Sequence, residues 1–393
     1  MLGEPDGIRK LLPREKQCKS ARRLRDFYAK KPNAPLIQEE FGFYSLDRWK
    51  REGHMPYFDN PEEESAWLAK TFGFEPPGRY SLGGLGWCEA AFEPPFPILV
   101  LEDRGDYELV QDHAGRKVLY FKGRRDGFMP EYQDHPVKDK ESWYRDVAWR
   151  LDPKNPARYG PAFWEQIRQA EEAARCGKVI SQSVIGGYMY LRSLVGPLEL
   201  LYLFYDQPDL IHLCMKAWFE LADAVIARHQ AHVTIDELFL AEDICYNHGP
   251  LIAPSMIRSF LFPYYQQLII NTRRRQLDPD RPLHIQIDTD GFCVPVIEVY
   301  QEIGMDYMSP FEVAAGCDVV DIGKDKPWLL MRGGLDKRVL AEGPEAIDRM
   351  LDRILPVMFH RGGYIPCCDH GVPEEVSFEN YCHFRKRILE YSD

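Results

Sequence analysis

Short apolar segments alternate with longer helical segments over most of the chain. The short segments lie near residues 34–41, 178–186, 236–243, 283–291, 305–312, 328–334 and 363–368. Between them, apolar residues recur every three to four positions, as they do on one face of a helix. A short buried strand that alternates with an amphipathic helix is typical of a parallel sheet. These seven segments, with an eighth near residues 97–101, predict a closed (β/α)8 barrel, the TIM barrel fold.

Two parts of the chain depart from this alternation. Residues 1–90 have a mostly helical pattern apart from the segment at 34–41, which predicts an N-terminal helical lead-in that carries the first strand. Residues 96–135 alternate apolar and polar positions around the turn sequences RGD and HAG, which predicts β-hairpins. The sequence therefore predicts a single barrel domain over residues 1–393, with the lead-in at 1–90, a β-hairpin insertion at 91–136 and the main barrel at 137–393.

Composition and charge narrow the class of protein. The chain has 393 residues, 45% of them hydrophobic, which is enough for a large core. A net charge of −12 argues against a nucleic-acid partner. No apolar run reaches the roughly 20 residues that cross a bilayer, and the N-terminus lacks a signal-peptide core. The ten cysteines form no CxxC pair. We therefore expect a cytoplasmic protein that binds neither nucleic acid nor membranes.

Carboxylates follow most of the predicted strands. They are Glu39 and Glu40, Glu242 and Asp243, Asp288 and Asp290, Glu312, and Asp369, which precedes His370. Any one of these acids could simply cap the next helix or stabilise a turn. However, the active site of a (β/α)8 barrel lies at the carboxyl ends of its strands. Acids that converge there need a metal, a cationic partner or raised pKa values.

The sequence predicts a catalytic site made of Asp288, Asp290, His370, Glu312, Glu242 and Asp243. Within it, Asp288, Asp290 and His370 are the predicted ligands of one divalent cation. Two carboxylates and one imidazole would leave a coordination position open for a substrate oxygen. Two alternatives stay open at this point. The same residues could act as acids and bases without a metal, or they could serve structure alone.

Several longer motifs resemble one known superfamily. They are EDICYNHGPLIAPSMIRSFLFPYYQQLI (242–269), DTDG (288–291), PFEVAAGCDVV (310–320), GGLDKRVLAEGPEAID (333–348) and GGYIPCCDHGVPEEVSFENY (362–381). In this order they resemble the uroporphyrinogen decarboxylase superfamily over residues 160–390, and more loosely over residues 20–55. The resemblance implies a (β/α)8 barrel, in agreement with the strand pattern. By analogy with the decarboxylases of this superfamily, it also implies a homodimer.

The superfamily contains two chemistries. Its decarboxylases grip substrate carboxylates with an arginine-rich N-terminal segment, whereas this chain has PNAPLIQEEFGFYSLDRW there. Its cobalamin-linked methyltransferases hold zinc with an H-x-C pair and a later cysteine. Those positions correspond here to Asp288 and Asp290, on either side of Thr289, and to His370. The change from thiolate to carboxylate would favour an oxygen-bearing substrate, and would accept zinc, manganese or magnesium.

The resemblance therefore implies a methyltransferase. It would move a methyl group between a small compound, such as an O-methyl compound, and a corrinoid held by a separate carrier protein. A decarboxylase-like lyase that uses Asp288, Asp290 or His370 as a proton donor is the first alternative. A non-catalytic protein that binds a small molecule is the second.

Overall fold

A curled parallel β-sheet with helices packed on it forms the centre of the molecule. The computed structural model describes residues 5–33, 36, 38, 41, 42, 44–123, 125 and 130–391. The described strands are β1 (Arg79–Leu82), β2 (Leu99–Arg104), β3 (Tyr107–Gln111), β4 (Lys117–Phe121), β5 (Glu131–Asp134), β6 (Val179–Ile185), β7 (Glu237–Ala241), β8 (Cys245–Tyr246), β9 (Gly249–Pro250), β10 (His284–Asp288), β11 (Tyr307–Ser309), β12 (Leu330–Arg332) and β13 (Tyr364–Ile365). Seven of these strands form the parallel sheet, in the order β1-β6-β7-β10-β11-β12-β13.

Helices connect these strands and cover the outside of the sheet. They are α1 (Lys19–Tyr28), α2 (Ser45–Arg51), α3 (Pro61–Phe72), α4 (Lys140–Ser142), α5 (Pro161–Arg175), α6 (Gly187–Val195), α7 (Pro197–Asp206), α8 (Pro208–Gln230), α9 (Pro254–Met256), α10 (Phe262–Arg275), α11 (Val294–Gln301), α12 (Val319–Asp325), α13 (Val339–Glu342), α14 (Pro344–Arg361) and α15 (Phe378–Glu390). Short 3-10 turns cover Arg14–Lys16, Ala148–Leu151, Pro156–Tyr159 and Val313–Ala315, and π turns cover Trp143–Val147 and Ile257–Leu261. Among the described helices, none has the length and apolar character needed to span a bilayer.

The order of the strands confirms a parallel α/β fold, adds a strand that the sequence did not predict and corrects one predicted strand. The first described strand of the sheet is β1, which lies in the part of the chain predicted to be helical. The predicted eighth strand near residues 97–101 is wrong, because β2 belongs to a separate antiparallel sheet of order β2-β3-β4-β5. The predicted strand at residues 34–41 lies largely outside the described residues. Of that segment, Phe41 forms an isolated parallel bridge with Val372, just beyond β13.

The two faces of the parallel sheet differ in character. Leu238, Leu240, Ile285 and Ile287 are buried in the main apolar core together with residues of the surrounding helices. Side chains alternate along a strand, so Phe239 and Gln286 face the other side, into the curl of the sheet. We call this concave side the lumen. The helix-facing side holds the fold together by apolar burial, which leaves the lumen available for polar groups.

A π turn in the helix after β9 positions a tyrosine near the strand ends. Helical structure runs from Pro254 to Arg275, with α9 and α10 joined by the π turn. Pro263 lies just after the turn and has no N–H to donate to the carbonyl four residues earlier. A single π turn inside a helix shifts the side chains that follow it, and such turns often occur at functional sites. Tyr265 of α10 is consequently buried against α6.

Gly333 allows two loops at the carboxyl ends of β11 and β12 to pass each other closely. Its φ is +104°, and an added Cβ would lie 1.8 Å from the carbonyl oxygen of Pro310. The neighbouring Gly334 donates its N–H to the same oxygen at 3.0 Å. A side chain at position 333 would therefore both strain the backbone and force the loops apart.

We expect Gly333→Ala to lower the free energy of unfolding by about 3 kcal/mol or more, since strain at positive φ and overpacking each cost roughly 1–3 kcal/mol. Urea denaturation followed by circular dichroism measures the change. Gly105→Ala is the matched control, because φ there is +78° but an added Cβ meets no atom of the described residues within 4 Å. Equal losses in the two variants would show that the close approach to Pro310 costs nothing.

Candidate active site at the carboxyl ends of the strands

The predicted acidic residues lie where neighbouring parallel strands end. Glu242 and Asp243 follow β7, Asp288 ends β10 and Asp290 comes two residues later, Glu312 follows β11, and Asp369 and His370 follow β13. Because β7, β10 and β11 are adjacent and parallel, their ends form one rim, which we call the mouth of the lumen. Glu39 and Glu40 lie outside the described residues.

Glu242 is a fully buried carboxyl group held by hydrogen bonds. Its Oε1 accepts the backbone N–H of Tyr188 at 2.9 Å, and its Oε2 accepts the hydroxyl of Tyr265 at 2.5 Å. Gly186 is needed beside it, because an added Cβ would lie 2.5 Å from the Cα of Glu242. The glycine pair that ends the β6 segment therefore lets α6 start against this carboxyl group.

Burial raises the pKa of Glu242 to about 7. The hydrogen bonds from Tyr265 and Tyr188, together with the nearby hydroxyl of Tyr300, favour the charged form and lower the pKa, but they only partly offset the loss of hydration. The neighbouring charge of Asp243 raises it further. Glu242 is therefore balanced between its protonated and ionised forms near neutral pH.

Asp243 points toward a cation at the mouth. Its backbone has a φ of +43°, and its Oδ2 accepts a hydrogen bond from the Nη2 of Arg192 at 2.5 Å. The backbone N–H groups of Glu242 and Asp243 both donate to the carbonyl oxygen of Asp288, at 2.9 and 3.1 Å. These two bonds fix the end of β7 against the end of β10. Arg192 of α6 was not part of the predicted site.

Asp288 faces the lumen and is hydrogen-bonded to the next strand. Its Oδ1 accepts a hydrogen bond from the hydroxyl of Ser309. That hydroxyl in turn accepts a hydrogen bond from the Nε2 of Gln286 at 2.9 Å. Thr289 lies on the opposite side of the strand end, where its Oγ1 accepts the N–H groups of Ile244 and Cys245 at 3.0 and 3.1 Å. Thr289 thus anchors the loop while Asp288 stays directed into the lumen.

Asp290 and His370 form an acid–base pair at the rim. The Oδ2 of Asp290 lies 3.7 Å from the Nε2 of His370, and the two side chains are 44% and 51% exposed. Crowding by protein atoms removes part of the hydration of Asp290 and raises its pKa to about 7. His370 opposes this rise, whereas the negative charges of Asp243, Glu312 and Asp288 add to it. Asp290 can therefore hold a proton near neutral pH and still reach solvent.

Glu312 and Asp369 mainly stabilise the loops of the mouth. Glu312 accepts the N–H of Gly291 at 2.8 Å, and its Oε1 lies 3.7 Å from the Nζ of Lys337. Asp369 is buried and accepts the N–H groups of Val313 and Lys337 at 2.9 and 3.1 Å. Burial nonetheless raises its pKa. Both acids therefore stabilise turns by accepting backbone N–H groups, as the sequence allowed for any single acid. Glu312 also adds negative charge beside Asp290.

The predicted metal ligands are not arranged as a ligand set. Asp288 is directed to Ser309, and Asp290 is instead within 3.7 Å of His370. Within the described ranges, no group of three His, Cys, Asp or Glu side chains is placed to hold a metal ion. A bound zinc or manganese ion would need all three ligand atoms at about 2.0–2.2 Å. The described residues therefore do not show the predicted three-ligand site, and the metal stays a prediction.

The site also contains residues that the sequence did not single out. They are Trp87, Tyr188, Arg192, Tyr265, Gln286 and Ser309. Two signals in the sequence could have located part of this set. The glycine pair at 186 and 187 indicates a close approach to the next strand end, and Ser309 follows directly from the alternation of lumen-facing positions along β11.

The parallel sheet makes this chain an α/β protein. The acidic side chains at the carboxyl ends of its strands form the candidate active site. Residues 130–391 match the family of uroporphyrinogen decarboxylase (URO-D), and the chain belongs to this family. Among solved structures, the chain is similar to a methyltransferase from Methanosarcina mazei. The two share 15% identity and a TM-score of 0.57, over 94% of this chain and 98% of the other. No curated protein matches this chain.

Proposed function

We propose that this protein is an enzyme that transfers a methyl group from a small methylated compound to a corrinoid carried by a partner protein. The observation that carries the proposal is the Asp290–His370 pair, because it places an acid with a pKa near 7 at a solvent-reachable rim. The likeness in fold to a methyltransferase supports it. A closed eight-stranded barrel, a cytoplasmic location and a homodimer are further parts of this proposal.

The proposed role of Asp290 and His370 is to control a proton on the leaving group. A methyl group is released readily from oxygen when that oxygen gains a proton and leaves as a neutral alcohol, and from nitrogen when the nitrogen is positively charged and leaves as a neutral amine. Asp290 would hold this proton at the leaving atom, and His370 would exchange protons with solvent. The corrinoid would supply the nucleophile that accepts the methyl group. The exposure of both side chains supports access by such a partner.

Glu242 and Arg192 have proposed supporting roles. Glu242 is too enclosed to reach a partner, so we assign it to positioning α6 through Tyr188 and Tyr265. Arg192 holds Asp243 and closes one side of the mouth. Asp288 lines the lumen below the rim, where it can contact the substrate. Each of these roles keeps a polar group in place before the substrate arrives.

Decarboxylation is the alternative reaction for the same acid, since a protonated Asp290 could also protonate a carbanion. The charges of Arg192 and Lys337 argue against decarboxylation. Arg192 faces Asp243, and Lys337 faces Glu312. Because each of these two cations is already close to an acid of the protein, it would bind a substrate carboxylate only weakly. The acidic groups around them would also repel a polycarboxylate.

The test uses the purified full-length protein and free cob(I)alamin as the methyl acceptor. A panel of small O-methyl and N-methyl compounds is added, and the absorbance change that accompanies methylation of the cobamide is recorded. Methylation with at least one compound supports the proposal. Release of carbon dioxide from a carboxylated panel, without cobamide methylation, would replace it by the lyase. Binding without either reaction would identify a non-catalytic binder.

A further inference from the structure

An aromatic surface lies in the lumen next to the acids. The ring of Trp87 stacks on Phe239 with parallel planes and ring centroids 5.2 Å apart. Phe239 faces the lumen, because it is the register partner of Gln286, whose side chain bonds Ser309 there. Trp87 remains 52% exposed, which is high for a tryptophan that is packed against a lumen side chain. One face of its indole is therefore available to a ligand.

Trp87 also lies close to the charged residues of the mouth. It belongs to the loop that follows β1, and the next residue is Cys88. The charges of Arg192 and Asp243 act on the Cys88 thiol, so this loop lies beside the rim. Along β10, Asp288 is two residues beyond Gln286 and faces the same side. The indole and the Asp288 carboxyl group therefore border one space.

Gln286 supplies an unsatisfied acceptor at the floor of that space. Its side chain is buried, with 1% of the residue exposed, and its Nε2 donates to Ser309. Its Oε1 receives no hydrogen bond from the part of the chain that the structure describes. A buried carbonyl oxygen without a donor is unfavourable, so this position favours a ligand that brings an N–H or O–H group.

The charges around the space favour a cation. Asp243, Asp288, Asp290 and Glu312 surround the mouth, and Arg192 and Lys337 face two of them. Four carboxyl groups against three cations, Arg192, Lys337 and Arg332 at the end of β12, leave an excess of one negative charge when the acids are ionised and the imidazole is neutral. The face of an indole ring carries negative potential as well and attracts cations, ammonium groups in particular.

We propose that the substrate is a small N-methylated ammonium ion, whose methyl groups lie on the exposed face of Trp87 and whose N–H points toward Gln286 and Asp288. This inference rests on the proposed methyl transfer. In that step the bond between nitrogen and the methyl carbon breaks, and its electron pair stays on nitrogen. The amine leaves neutral, and the methyl group passes to the corrinoid nucleophile. Because the nitrogen of such an ion already carries its proton near neutral pH, Asp290 contributes negative charge at the mouth for this substrate and does not supply the proton.

The test compares two probes of the same shape by isothermal titration calorimetry, without any cobamide. The probes are N,N-dimethylethanolamine, which is protonated at pH 7.5, and its neutral isostere 3-methyl-1-butanol. We expect the cation to bind at least about tenfold more tightly than the alcohol. Choline, which has the charge but no N–H, is expected to bind between them. Equal affinities for the cation and the alcohol would overturn the inference.

Variants locate the binding surface. Trp87→Leu is expected to weaken binding of the cation by about five- to thirtyfold, in the range of a partly desolvated cation–π contact, and to change alcohol binding much less. Trp87→Phe should restore most of the affinity. Trp164→Leu is the matched control, because Trp164 is also 52% exposed but lies on the outer helix α5. If Trp87→Leu keeps the full affinity for the cation, the inference fails.

The outcome separates this inference from the proposed function. Selective binding of the cation without cobamide methylation would support the ligand class and contradict methyl transfer. Methylation of the cobamide from O-methyl compounds alone, with no preference for the cation, would support methyl transfer and contradict the ligand class.

Discussion

With an O-methyl compound as the methyl donor, replacing Asp290 by asparagine is expected to lower the rate of cobamide methylation by about 10²–10⁴-fold, the usual contribution of a positioned acid–base group. The amide keeps the size of the side chain but cannot hold or release a proton at the leaving atom. Because Asp290 is 44% exposed and mainly faces other acids, removing its charge should leave the fold intact. The rate is measured at saturating substrate, with circular dichroism as the check on folding.

Asp209→Asn is the matched control for this variant. Asp209 lies in the first turn of α8, on the outside of the molecule, and its side chain is 85% exposed. We expect its methylation rate to stay within about twofold of the wild type. If Asp290→Asn keeps more than a tenth of the wild-type rate, Asp290 does not control the proton, and the proposed mechanism loses its central residue.

The sequence predicted the sheet well wherever the strands face an apolar core. β7 and β10 alternate lumen-facing residues with buried leucine and isoleucine, and their positions were predicted. β1 was missed because it is short and its Arg79 faces inward, where the Nη1 lies 3.2 Å from the Oε1 of Glu237. A strand whose inner face is polar and charged does not give the apolar run that marks a buried strand.

The carboxylates of the site were predictable, but their partners were not. Their position at strand ends follows from the pattern, because parallel strands end at one edge. The orientation of each side chain depends on contacts across the sequence, such as the hydroxyl of Ser309 for Asp288 and that of Tyr265 for Glu242. Spacing within the motif DTDG could not indicate that Asp288 and Asp290 take different partners. The metal site predicted from this spacing stays a prediction, and in the described part of the chain no three such side chains are placed together to form it.

Trp87 shows a second limit of sequence reasoning. It stands in a loop rich in glycine, GGLGWCEA, with no neighbouring acid except Glu89. Only the pairing of β1, β6 and β7 brings this loop over Phe239, more than 150 residues later in the chain. Aromatic residues in loops are common, so the sequence offers no reason to select this one. The candidate recognition surface consequently emerges from the strand order and not from a motif.

We expect the stability of the protein to depend on pH through Glu242. Its pKa is about 7 in the folded protein and has an ordinary value of 4.5 when exposed. The folded state therefore binds the proton more tightly, and the free energy of unfolding falls as pH rises from about 4.5 to about 7. Complete ionisation of this buried group would cost about 3 kcal/mol, from roughly 1.4 kcal/mol for each pKa unit.

Glu242→Gln isolates this contribution, because a neutral amide keeps the shape but does not titrate. Urea denaturation of both proteins at pH 5 and pH 8 should show the variant gaining about 2.5 kcal/mol relative to the wild type between the two values. Asp290 titrates near the same pH, but it is present in both proteins and its effect cancels. Glu220→Gln, on a half-exposed side chain of α8, should follow the wild type at both values.

If the difference between Glu242→Gln and the wild type stays constant with pH, then Glu242 is ionised throughout. The donors from Tyr188 and Tyr265 would then outweigh the loss of hydration.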